Sequence, residues 1–283
     1  MNQLYHTIGI TKQAIHQYAK RQCVFDKKTE QLVIEADELR KEHPGCGVEK
    51  MYYTLNPGFI GRDRFVDLFM QLGYRVRRNK NYRRTTIASN IYYPNLINGM
   101  TLSAPSTIWQ SDITYIQVGN RYYYGVFIMD VYTRKIVGYQ VSDHMRATAN
   151  VKALQMALKD HPAPRIHHSD RGSQYTYREY IDLLKQNGCN ISMGLIAQEN
   201  AYAERIHKTI KEEYLNHWKP KNFYQLRRDI GKAVAHYNKK RKHNNLNRMI
   251  PVSFEKKWST LTENQKPIMT IFNYELVNQN GQH

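Results

Sequence analysis

Acidic residues are scarce in this chain of 283 residues: 24 Asp and Glu stand against 42 Lys and Arg, a formal net charge of +18. A surplus of that size makes a polyanion the first partner to consider. Cysteine is scarcer still. There are three, Cys23, Cys46 and Cys189, with no CxxC pair. An odd number without close pairing argues against a disulfide framework and fits a reducing cytoplasm. No apolar run approaches the roughly 18 residues that a membrane span needs, so no membrane partner is expected. The opening Met1–His6 has no basic stretch leading into an apolar one, as a secretory signal requires. What is present suffices for a core: 41% of residues are hydrophobic and 12% aromatic. The length points to two or three compact units.

The charge is unevenly placed. Residues 1–105 carry 16 basic and 9 acidic side chains, residues 106–216 carry 13 and 11, and residues 217–283 carry 13 and 4. A nearly neutral middle is flanked by two basic regions, a pattern that suits an extended nucleic acid. Arg75, Arg77, Arg78, Lys80, Arg83 and Arg84 form one local cluster, and Lys239, Lys240, Arg241 and Lys242 form another, with His243 beside it. Taken singly, such a run is as readily a solvated face. Tyr74, Tyr82, Tyr92, Tyr93 and Tyr237 lie among the charges, where stacking on bases competes with ordinary core packing.

Apolar spacing predicts helices over 11–21 and 28–43, the first capped by Thr11 and the second stopped at Pro44-Gly45. Val48, Met51, Tyr52 and Leu55, then Phe65, Leu68, Phe69 and Leu72, each follow helical spacing across an Asn56-Pro57-Gly58 turn, with Gly73 closing the second. Two short helices and a basic tail suggest a helix-turn-helix over about 46–73, on which Arg62 and Arg64 are further DNA-contact candidates; a small bundle without groove contact is the alternative. Residues 86–105, with Pro94, Gly99 and Pro105, read as a linker. Strands are expected at Ile108–Val118, Arg121–Val131 and Lys135–Val141. A helix (Ala147–Lys159), a short strand (Arg165–Ser169), a helix (177–187) with a Thr176/Glu179 capping box and a strand (Cys189–Met193) come next. Helices from about Glu199 to Asn216 and over 222–238 complete the pattern. Three antiparallel strands followed by alternating strand and helix give an α/β domain with a mixed sheet.

Three acidic residues stand out. Asp112 interrupts the first strand, where a charge ordinarily marks a solvated face or an edge. Asp170 lies just past a short strand, before Gly172, and strand C-termini of open α/β sheets are where sites form. Glu204 lies on a helix, with 33 residues between it and Asp170. Converging carboxylates repel unless a cation neutralises them, and oxygen ligands suit Mg²⁺ or Mn²⁺. A pair of such ions serves phosphodiester chemistry. Asn200, Glu204, Lys208 and Lys211 fall on one helical stripe, which aims the two lysines, with Asn200 as a further DNA-contact candidate, toward a phosphate backbone or makes a plain surface Glu–Lys pair.

At these residues the chain resembles the second-frame (OrfB-type) transposases of the IS-three family of bacterial insertion sequences, members of the DDE superfamily with retroviral integrases. The matching pieces run in order: Gly9–Ile15; His43-Pro44-Gly45-Cys46-Gly47 through Arg84; Trp109-Gln110-Ser111-Asp112-Ile113-Thr114-Tyr115; His168-Ser169-Asp170-Arg171-Gly172-Ser173-Gln174-Tyr175; Asn200-Ala201-Tyr202-Ala203-Glu204, on to Leu215; and Tyr237-Asn238, Arg241, His243, Leu246 and Pro251. The resemblance implies a ribonuclease-H-like core over 106–260 with basic C-terminal helices, after a helical DNA-binding region over 1–85 and before a tail over 261–283. It implies two divalent ions held by Asp112, Asp170 and Glu204. It implies cleavage at the 3′ ends of a mobile element at its terminal inverted repeats, then transfer of those ends into target DNA. Lys208 and Lys211 would touch terminal DNA, and paired ends imply a homo-oligomer. The spacing from Asp170 to Glu204 is slightly shorter than the family pattern, with the loss in the Gly194–Gln198 loop. The family's first-frame portion does not match, which leaves a chain acting alone, or with a first-frame partner or fusion. The zinc site of retroviral integrases is not expected, because His6, His16, Cys23 and Cys46 are scattered. A nuclease of the same fold without strand transfer, and a DNA-binding regulator with an inactive core, are the competing functions.

Overall fold

A computed structural model describes residues 11–76 and 92–271. The chain divides into two compact units, residues 1–77 and 78–283. Arg77, Arg78, Lys80, Arg83 and Arg84 lie outside the described residues, as do Tyr82 and the N-terminal Gly9-Ile10.

In the first unit, α1 (Lys12–Glu42) is one helix of 31 residues, where two were expected. The intervening Gln22–Lys27 contains no proline or glycine to end a helix, and Gln22 Nε2 donates to Asp26 Oδ1 one turn on at 2.7 Å. Thr11 caps it, its Oγ1 accepting from Ala14 N at 3.1 Å. The shorter α2 (Val48–Leu55) and α3 (Arg62–Gln71) come after it. Leu32 and Ala36 of α1 pack with Cys46, Val48, Met51, Ile60, Phe65 and Phe69, and the Phe65 and Phe69 rings stack at 4.1 Å. Gly73, at φ +87°, turns the chain out of α3 in a conformation costly for other residues.

The second unit is built on a five-stranded sheet in the order β4-β3-β2-β5-β6. Its strands are β2 (Ile108–Val118), β3 (Arg121–Asp130), β4 (Ile136–Ser142), β5 (Ile166–Ser169) and β6 (Asn190–Met193). β2, β3 and β4 pair antiparallel, whereas β5 and β6 join parallel to β2. This is the mixed sheet that the pattern predicted. Side chains alternate across it. Val126 and Ile128 face a core shared with α4 (Thr148–Asp160) and α5 (Arg178–Gln186). Phe127 and Met129 face another, made with α6 (Ala201–Ile210) and α7 (Phe223–Lys239). At Gly138 a Cβ would meet the Ala153 carbonyl oxygen at 2.3 Å, so this glycine is what lets α4 lie directly on β4.

Three local expectations change. Thr176 does not cap α5: the cap position is Tyr177, and Thr176 Oγ1 donates to the Ser173 carbonyl instead. The helix expected from Glu199 to Asn216 has three parts: a 3₁₀ turn at Ala197–Asn200, then α6, then a π-helical turn at Lys211–Leu215 that runs on to Trp218. The described part of the expected linker is not loose chain. Its β1 (Thr101–Leu102) pairs antiparallel with β7 (Met269–Thr270), inside the expected C-terminal tail. Ile97, Leu102 and Ile271 are buried with Leu246 and with Phe254 of α8 (Pro251–Trp258). A few apolar anchors outweigh the turn-forming composition there.

Candidate active site

The sheet brings the first two acidic residues together. β2 and β5 run parallel with Ser111 opposite Ser169. Asp112 and Asp170 each follow that pair directly. β2 is the central strand, so Asp112 lies neither on an edge nor on a solvated face, the usual places for a charge in a strand: its side chain is 18% exposed. One Asp112 carboxylate oxygen accepts from Ile113 N at 2.8 Å and the other meets His207 Nδ1 at 3.4 Å. Asp170 Oδ1 accepts from Gly172 N at 3.0 Å, which folds the chain sharply after β5. Glu204 is on the first turn of α6.

The electrostatics are those of crowded anions. Burial pushes the Asp112 carboxyl well above its usual range, and the charges of Asp170 and Glu204 add to this against the opposing Ile113 N–H and Lys211. Burial also raises Glu204. Burial and the nearby Lys211 charge push His207 down to about 3, so at neutral pH it meets Asp112 as a neutral ring. Its Nε2 is buried without a hydrogen-bond partner. Among the described residues no three His, Cys, Asp or Glu side chains are gathered closely enough to hold one ion as they stand.

The expected stripe along α6 is split. Lys208 is exposed. Lys211 is half-buried in the π turn, where burial lowers its pKa and the Asp112 charge opposes the shift. Asn200 is 3% exposed, and its Nδ2 donates to the Ser111 carbonyl at 3.1 Å. It ties the start of α6 to β2 instead of facing DNA. Gln110 does the same from the strand, donating to the Glu199 carbonyl at 3.1 Å and accepting from Ala203 N at 3.3 Å. Ser111 Oγ meets the buried Tyr175 hydroxyl at 3.0 Å. Gln110, Tyr175 and His207 were not singled out from the sequence, although the first two lie inside the Trp109–Tyr115 and His168–Tyr175 motifs.

The basic flanks separate into surface and interior. Lys239 and Lys240 are exposed and Lys242 is half-buried. Arg241 and His243, expected on DNA, are each 8% exposed. Arg241 grips Glu213 of the π turn with two hydrogen bonds of 2.7 Å, and its third nitrogen lies 3.2 Å from His243. Tyr237 is buried against His243. Asn238 exchanges hydrogen bonds with Ile136 N and O at 2.9 and 2.8 Å, docking α7 on β4. The tail motif is thus internal strutwork. In the first unit Arg62 is exposed beside Asp63, Arg64 lies 4.4 Å from the Phe25 ring, and Arg75 is exposed.

Two integrase core domain profiles match, over residues 103–197 and 189–251. A 31 kDa protein of insertion element IS600 from Shigella sonnei is 34% identical over 207 residues, which is 70% of this chain and 76% of that protein. The transposase for insertion sequence element IS629, also from Shigella sonnei, is 31% identical over 223 residues, 76% and 75% of the two chains. Among solved structures, the chain is similar in fold to one in a simian T-cell lymphotropic virus intasome, at 14% identity and TM-score 0.50, over 83% of this chain and 77% of that one. With its mixed sheet, its paired aspartates and these relatives, the chain belongs to the IS-three type of bacterial insertion-sequence transposases, DDE enzymes built on an integrase core.

Proposed function

We propose that Asp112, Asp170 and Glu204 are the catalytic residues of this transposase and hold two divalent ions, Mg²⁺ or Mn²⁺. One observation carries the reading: register in a parallel strand pair sets two carboxylates side by side, and burial leaves Asp112 with a charge that its surroundings disfavour. The donor set fits the ion, since it consists of carboxylate oxygens and hard divalent cations take oxygen. When bound, the ions supply charge neutralisation, activation of the attacking oxygen and stabilisation of the leaving one. The chain's own residues prepare that. β2 and β5 fix the spacing of the aspartates, Gln110 and Asn200 pin the helix that carries Glu204, and Lys211 adds a cation beside Asp112. Lys208, exposed on the same helix, faces phosphate.

The reaction proposed is hydrolysis at the 3′ ends of an insertion sequence, followed by attack of the freed hydroxyls on target DNA, by a homo-oligomer holding both terminal inverted repeats. A first-frame protein, separate or fused, is a proposed partner. The helical unit, with Arg62, Arg64, Arg75 and the basic residues beyond it, is proposed to bind duplex DNA. No helix among the described residues is long and apolar enough to cross a membrane, and action in the cytoplasm on chromosomal DNA fits that.

The test is incubation of the purified chain with a terminal-repeat duplex, with and without Mg²⁺, followed by a second reaction that supplies a pre-cut 3′-hydroxyl end. Mg²⁺-dependent cleavage and joining are expected. Cleavage without joining would favour the nuclease, and no product under any condition would favour the inactive regulator.

A further inference from the structure

Helix α7 has two unlike faces. Leu226, Ile230, Ala233, Val234 and Tyr237 are buried under the sheet. The opposite face exposes Tyr224, Arg227, Arg228, Lys232 and Lys239, and the turn before it exposes Lys219 and Lys221. The acid of this helix, Asp229, is 7% exposed and paired with Arg228 at 3.2 Å, so it lays no separate negative charge on the strip. From Arg227 to Lys239 the helix rises about 18 Å, the length of about five base pairs.

Two features distinguish this strip from an ordinary wet surface. Its cations are partly pre-ordered: Lys232 Nζ lies 4.8 Å from the Trp218 ring centre, and the Arg227 guanidinium lies 5.9 Å from that of Phe223. A tyrosine, Tyr224, stands 77% exposed among them, and such a side chain offers phosphate a hydroxyl and a sugar a flat face. The amide oxygens beside the strip are engaged within the chain. Asn222 accepts from Gln225 N at 2.9 Å as the helix cap, and Gln225 accepts from Lys221 N at 2.8 Å. Four of the strip's six cations are lysines, point charges that meet phosphate without bidentate geometry, and the Arg228 guanidinium is already held by Asp229 through Nε and one terminal nitrogen, so the contacts on offer go to backbone phosphate with little regard to sequence.

We propose that the exposed face of α7 is a docking surface for the target duplex, held through its phosphates. Of the two duplexes a transposase handles, the element's end has one sequence and the target has many. A strip that is mostly lysine suits the second. A second copy of the chain would bring the same positive charge against it. The proposal rests on the transposase reading of the active site.

The test uses the full chain with Lys221, Arg227 and Lys232 all changed to Gln, which leaves the Arg228–Asp229 pair intact, beside a control in which Arg227 becomes Lys. Binding is measured over a salt series for an unrelated duplex and for a terminal-repeat duplex, and joining is measured with a pre-cut end at varied target concentration. For the triple variant, the slope of log affinity against log salt should flatten by roughly 2–3 on the unrelated duplex, since each phosphate contact contributes about 0.9. The KM for target should rise on the order of tenfold, with kcat, end binding and end cleavage unchanged. The lysine control should behave as wild type. An unchanged slope and target KM would overturn the proposal, and so would an equal loss of terminal-repeat binding, which would assign the strip to the element's end. If the wild-type chain made no Mg²⁺-dependent product, the active-site reading would fail, while the salt slopes would still decide the surface.

Discussion

Glu213 and Asp112 are buried carboxylates at two ends of one helical neighbourhood, and the fold treats them in opposite ways. Glu213 receives a guanidinium through two bonds of 2.7 Å, with the pair 18% and 8% exposed. Burial acts to lower the Arg241 pKa, but the bonds and charge of Glu213 outweigh it and raise the value. Asp112 is as buried, with a side-chain exposure of 18%, yet meets a neutral imidazole at 3.4 Å and two acidic neighbours. A buried charge given a matched, multiply bonded partner is scaffold. One left among like charges suits a function that calls for a missing cation.

The largest effect that tests this contrast is on chemistry. Asp112→Asn, Asp170→Asn or Glu204→Gln should each cut cleavage and joining by roughly a thousandfold or more, because several kcal/mol of charge stabilisation are lost. DNA binding should survive. Any one variant that joined ends at the wild-type rate would remove that residue from the catalytic set. Next in size is the strut. Arg241→Ala should cost about 3–5 kcal/mol in urea unfolding by removing the guanidinium that makes two bonds to Glu213, whereas Arg241→Met with Glu213→Leu should recover most of it. If Arg241→Ala instead left stability intact and flattened the salt slope of DNA binding, Arg241 would be a phosphate contact.

The pH dependence separates the two sites further. The raised Asp112 pKa means that the metal-free fold holds this proton better than the unfolded chain does. Its contribution to stability is therefore present at low pH and lost as pH rises through the folded value. Asp112→Asn should thus stabilise the metal-free protein at pH 7 and stop doing so as the medium is acidified. Burial pushes His167 from 6.5 to about 3, which acts the other way, so both proteins should lose stability as pH falls through that window. Urea midpoints across pH measure both trends, and a neutral or destabilising Asp112→Asn at pH 7 would contradict the first. The smallest effect is on the first unit. Replacing Arg75, Arg77 and Arg78 by Gln should flatten the salt slope by up to about 3, and an unchanged slope would mean that the cluster does not touch phosphate.

Local pattern made much of this legible. β2 runs over the residues that its β-formers and Gly119-Asn120 indicated, and the acidic motifs were readable in order. What local pattern lacks is pairing across distance. The burial of Asp112 was not legible, because nothing near it announces that β5 joins β2 on the far side. Arg241, His243 and Asn200 read as DNA contacts because sequence displays charge and polarity but not burial. The partner of Arg241 lies 28 residues away, and that of Asn200 lies 89 away. The merging of α1 and the packing of 92–105 stem from a similar limit: a missing breaker or a few apolar anchors weigh more than average composition.

The π turn at Lys211–Leu215 has one more consequence. Its added residue rotates the rest of the helix by about 100° relative to a regular one, so Glu204 and Lys211 stay near Asp112 while Glu213 and Tyr214 reach Arg241 and His236. That makes the stretch between Glu204 and Glu213 a ruler of fixed count. Within it Lys208 is exposed and Lys211 lies beside Asp112, so both the composition and the number of residues matter. Deleting Glu212 should leave a smoother helix and a poorer enzyme, because one of the two ends would then point the wrong way.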